Sequence, residues 1–108
     1  MENETLQQTA ALIARDFELQ STEETLTEEE LLRLLADQVA YMIDHQLEVL
    51  LSLMYRLDVD ERKVAAALSP LSPEPPNINI ARLVLERQKQ RIFTRQHYKQ
   101  ETNWDWDE

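Results

Sequence analysis

Glycine is absent from all 108 residues, where an average chain of this length holds roughly seven or eight. Phosphate-cradling loops, dinucleotide fingerprints and the G-x-S-x-G nucleophile elbow all need glycine, so none of them is present. Tight hairpins lean on glycine too, which argues against a β-rich fold. Cysteine is also absent. That excludes disulfides, thiolate zinc sites, iron–sulfur clusters and cysteine nucleophiles. No run of about eighteen apolar residues occurs, so no membrane span is expected. The chain opens Met-Glu-Asn-Glu, with neither a basic start nor an apolar stretch. The expected location is therefore the cytoplasm.

What remains is 43% hydrophobic and 30% charged, the balance of a globular chain. Net charge is −10, placed in blocks. Residues 1–30 hold nine acids against Arg15 alone, whereas residues 80–100 hold six basic residues against Glu86 alone. Apolar periodicity near 3.6 predicts an all-α fold: an elongated helical bundle of about four helices with one long central helix. The expected organisation is a single helical domain over residues 1–100, followed by an acidic, Trp-containing tail over 101–108. The helices are expected over 4–20, 27–57, 59–68 and 79–99, with a Pro-rich connector at 69–77. Thr27 and Glu30 form a capping box at the start of the second helix. Asp58 and Asn79 are the expected caps of the third and fourth.

The second helix carries most of the functional expectation. Unbroken from 27 to 57 it would be about 46 Å long, whereas a compact domain of this size spans about 34 Å. Its apolar face covers about half of the circumference, wider than the roughly 100° stripe of a surface helix. A homodimer that buries the surplus is the expected outcome, with Leu35, Val39, Met42, Gln46, Leu50 and Leu53 as interface candidates. Gln46 sits in the middle of that face, where an amide needs a partner: a neighbouring backbone group or a water first, or its own copy across a twofold axis.

Three other constellations compete for function. Arg87, Arg91 and Arg95 recur every four residues, and Tyr98 closes the row. Such a row suits carboxylate or phosphate recognition, by a protein partner or by a nucleic acid, while the acidic N-terminal segment offers an internal partner. Asp44, His45 and Glu48 share polar character and close spacing, a weak pattern for a metal site, and a solvated charged face is the better reading of them. Trp104 and Trp106 alternate with acids in the tail, a pattern suited to docking in a groove or to folding back on the helices. The only histidines are His45 and His97, and neither lies in a stretch that resembles a pocket wall. No catalytic, cofactor-binding or metal site is assigned, and no small-molecule substrate is evident. The expected function is a small non-catalytic protein–protein interaction or assembly protein. A nucleic-acid binder using the basic C-terminal helix is the first alternative, and a metal-binding protein or enzyme the second.

Overall fold

The computed structural model describes residues 3–17, 19 and 27–101, with side chains described for 6–17, 19 and 27–95. Among these the fold is all-helical: α1 (Asn3–Phe17), α2 (Glu28–His45), α3 (Leu47–Arg56), α4 (Glu61–Leu68) and α5 (Pro76–Glu101). None of them is long and apolar enough to cross a membrane.

The capping box forms as the sequence implies. Glu30 N–H donates to Thr27 Oγ1 at 3.0 Å and Thr27 N–H donates to Glu30 Oε1 at 2.9 Å. Two of the amides that α2 leaves without intrahelical partners are thereby satisfied, and Glu28 and Glu29 set negative charge against the positive helix end.

The expected single helix over 27–57 is not one rod. It breaks at Gln46, whose backbone leaves helical geometry with φ −143° and ψ 48°. Neither proline nor glycine is present to cause the break. The physical reason lies in the seam. Met42 and Leu50 are both buried, one turn to either side of Gln46, so an unbroken helix would press the Gln46 amide into apolar surroundings. Burying an amide without a partner costs about 1–3 kcal/mol. The break instead leaves Gln46 exposed. Gln46 N–H still donates to Met42 O at 2.7 Å and Leu50 N–H to Gln46 O at 3.0 Å, so the chain bends rather than parts.

The turn after α3 shows what the missing glycine costs. Val59 N–H donates to Met54 O and Asp58 N–H to Tyr55 O, both at 3.0 Å, which is a Schellman ending. Its left-handed position, normally glycine, is filled by Asp58 at φ 64°. Asp is among the few residues that tolerate this region. Asp60, not Asp58, then caps α4, its carboxylate accepting from Arg62 N–H at 2.8 Å.

Helix α5 starts three residues earlier than expected. Asn79 N–H donates to Pro75 O, which makes Pro76 the first helical residue, where a missing amide donor costs nothing. Asn79 lies inside the first turn, and its side-chain amide donates back to the Glu74 carbonyl at 3.2 Å and to Ser72 Oγ at 2.6 Å. Asn77 Nδ2 donates to Ala36 O at 3.2 Å, tying this end of α5 to α2.

With 26 residues, α5 is the longest helix and the one against which α1, α2 and α4 pack. Ile80, Ala81, Val84, Leu85 and Ile92 are its buried apolar side chains among the described residues. The central element is therefore α5, not the segment 27–57. Helix α1 contributes Leu6, Ile13 and Phe17 to the core. The result is a compact globule of 46 × 32 × 23 Å.

Two polar side chains, Thr9 and Gln88, are fully enclosed where α1 meets α5. Gln88 Nε2 donates to Asp16 Oδ2 at 3.1 Å, whereas the Thr9 hydroxyl has no partner among the described residues.

Two substitutions test these assignments. Gln46→Leu supplies the aliphatic residue that the seam lacks and should join α2 to α3. Amides 47–49 should then exchange more slowly with deuterium than in the parent; unchanged rates would show that the amide does not cause the break. Thr9→Val keeps the shape and deletes the unpaired hydroxyl, so it should stabilise the fold by about 1 kcal/mol in a urea titration.

Candidate interaction surface

The residues expected to form a dimer seam have a different task. Leu35, Val39, Met42, Leu50 and Leu53 are all buried within the single chain, against α5 and its neighbours. They hold the core and offer no surface to a second molecule. Gln46, expected at the centre of that seam, faces solvent.

Apolar surface is exposed elsewhere on the same two helices. Eight large hydrophobic side chains are exposed among the described residues, and six belong to α2 and α3: Leu34, Tyr41, Leu47, Val49, Leu51 and Tyr55. Tyr41 is 52% exposed and Tyr55 77%. Single exposed hydrophobics are ordinary, whereas their concentration on one pair of consecutive helices makes this the candidate contact surface. The sequence reading missed Tyr41 and Tyr55 as candidates. The signal was there, because Leu34, Tyr41 and Tyr55 fall on one row of sevens, with Glu48 at the remaining position. Seven residues are nearly two helical turns, so Leu34 and Tyr41 share one side of α2 away from the core, while Tyr55 is exposed on the separate helix α3 beyond the break at Gln46.

Charge on this outer face is sparse and mixed. Arg33, Asp37, Asp44, Glu48 and Arg56 are exposed, and none makes an ion pair among the described residues. The Tyr41 and His45 rings lie 4.6 Å apart and tilted by 37°. Asp44, His45 and Glu48 are not gathered into a metal-binding cluster: the break at Gln46 separates His45 from Glu48, and no group of three or more such side chains converges among the described residues.

The basic helix divides its arginines. Arg87 turns inward, with Nε donating to the Leu57 carbonyl at 3.0 Å and Nη2 meeting Asp58 Oδ2 at 3.4 Å. It thus satisfies a carbonyl at the end of α3 and compensates the strained Asp58 turn. Lys89 Nζ reaches Glu28 Oε2 at 3.0 Å, joining α5 to the acidic start of α2. Arg82 pairs with Glu74. Among the described residues Arg91 reaches only Gln88 Oε1, at 3.5 Å, and Arg95 is exposed. The row Arg87–Arg91–Arg95 is therefore not a uniform set of solvent-facing cations. The Tyr98 side chain, Trp104 and Trp106 lie outside the described residues.

One groove of about 710 Å³ opens between the α3–α4 turn and α5, lined by Asp58, Lys63, Arg87, Lys89, Gln90 and Phe93 among others. Two of its cations, Arg87 and Lys89, are the ones already held by Asp58 and Glu28, so it presents little free charge to a ligand.

Arg87→Ala should destabilise the fold by about 1–2 kcal/mol, because it removes a charged donor from a carbonyl and an ion pair from the Asp58 turn. Arg95→Ala should leave stability within about 0.5 kcal/mol, as surface changes do. Urea titrations of both variants check the contrast, and equal effects would contradict the assigned roles. No protein-family model, curated protein or solved structure matches this chain, so its function is argued from the surface alone.

Proposed function

We propose that this protein is a non-catalytic interaction or assembly module whose docking face is the outer side of α2 and α3. The observation that carries the reading is the concentration there of six of the eight exposed large hydrophobic side chains. Tyrosine on such a face is well suited to the task. It covers much apolar area, loses little rotamer freedom, and keeps a hydroxyl for the polar rim. The core side chains of the same helices hold this face rigid, so little ordering entropy is lost on docking.

The first alternative, recognition of a nucleic-acid backbone by the C-terminal helix, rests on a row of free cations. Arg87, bonded to Leu57 and Asp58, weakens that reading, as does the net charge of −10.

Site-specific photocross-linking tests the docking face. A photoreactive phenylalanine analogue replaces Tyr41 or Tyr55 in full-length protein expressed in cells, with Arg62 on exposed α4 as the control position. Discrete adducts are expected from positions 41 and 55 and not from 62. Absence of adducts at both tyrosines, or equal adducts at the control, overturns the reading.

A further inference from the structure

Resting on the docking face just described, we propose that its occupant is a second copy of this chain, packed antiparallel across a twofold axis beside Gln46. Three observations support this occupant.

Charge is the first. The chain carries −10 in all, so two copies repel wherever their acidic surfaces meet. Past the acidic first turn of α2 (Glu28, Glu29 and Glu30), the stretch from Leu31 to Leu57 that carries all six exposed side chains holds two arginines, Arg33 and Arg56, against three acids, Asp37, Asp44 and Glu48, a net charge of −1. The apolar outer face is thus also a nearly neutral stretch of an acidic molecule, where self-association meets little opposition.

The pattern of those charges is the second. A twofold antiparallel pairing sets residue i of one copy opposite residue j of the other with a constant sum. An axis between Gln46 and Leu47 gives a sum of 93. Asp37 then faces Arg56 of the partner subunit, and His45 faces Glu48 of the partner subunit. Asp44 meets Val49 of the partner subunit, so no like charges are opposed. Asp37 and Arg56 are both exposed and both lack an ion pair among the described residues. An isologous interface needs a patch that complements itself, and this one does.

Size is the third. Helices of 18 and 10 residues give strips of about 27 and 15 Å, carrying six large exposed side chains. A stable specific interface takes roughly 800 Å² per partner, and these six side chains form the apolar part of what each strip would contribute.

Light scattering on full-length protein across a concentration series is the first arm of the test. Twice the chain mass of 12.8 kDa is expected. Charge reversal is the second arm. Asp37→Arg alone and Arg56→Asp alone should each weaken the dimer about tenfold, because each opposes like charges twice per interface. An equimolar mixture of the two single variants should recover parental affinity, since every opposed pair is then of opposite sign. Circular dichroism should show both variants folded, as both positions are exposed. A mass of 12.8 kDa at all concentrations overturns the proposal, and so does a dimer indifferent to the reversals, which would lack this register. The cross-linking at Tyr41 and Tyr55 reads any occupant. Adducts of other mass there would end the self-association proposal while leaving the docking face intact.

Discussion

A side-chain amide cannot share an apolar seam unless it finds a hydrogen-bond partner, and much of this molecule follows from how Gln46 meets that condition. With Met42 and Leu50 buried one turn to either side, a straight helix would desolvate the amide. A helix break costs a few backbone hydrogen bonds, but water replaces them because the segment is at the surface. The amide inside would find no such replacement. The bend therefore wins. It also lets α2 and α3 direct their apolar stripes into the core separately, so that a surface too large for one straight helix to hide is covered within the chain.

That covering depends on α5. Its buried row serves α1, α2 and α4 at once, and its polar residues close the edges of the contacts. Lys89 meets Glu28 at the start of α2, Arg87 meets the end of α3, and Gln88 meets Asp16 on α1. Of the positive charges on α5, Lys89 alone pairs with an acid of α1 or α2 among the described residues, whereas Arg87 and Arg82 pair with Asp58 and Glu74 in the connecting segments. Exposed pairs contribute little to stability individually. Arg87 is different, because it supports the left-handed Asp58 at a position that glycine usually fills.

Local signals were legible in the sequence where chemistry acts over a few residues. The Thr27–Glu30 box and the point where the Pro-rich connector begins, after Leu68, could be read because capping and proline geometry are local. The signals that failed were choices between equivalent residues, or consequences of tertiary burial. Asp58 and Asp60 are both plausible caps, and only the Schellman ending of α3 decides between them. Asn79 resembles a cap, but Pro76 at the first helical position starts α5 a turn earlier. The break at Gln46 has no local marker, since it arises from what surrounds the residue. The outer face was hidden for a related reason: the core residues of α2 and α3 are so apolar that Leu34, Tyr41 and Tyr55 read as their fringe rather than as a stripe of their own.

Core and outer face share one backbone, which links stability to recognition. Leu34 and Tyr41 stand on α2, whereas Leu47, Val49, Leu51 and Tyr55 stand on α3, so the bend at Gln46 sets the angle between the two halves of the proposed docking face. A substitution that relieves the seam acts on both sides of the helix. It can improve the core while turning the exposed tyrosines away from the arrangement that a partner meets. Packed interiors resist continuous deformation, so the angle is fixed by the buried side chains and not by the surface ones. A polar residue at the middle of the seam is thus a small cost to the core that gives the outer surface a defined shape. The site where the sequence is least consistent with an ideal helix is also the midpoint of the surface assigned to binding, and local compromise of this kind is expected where function rather than stability determines the residue.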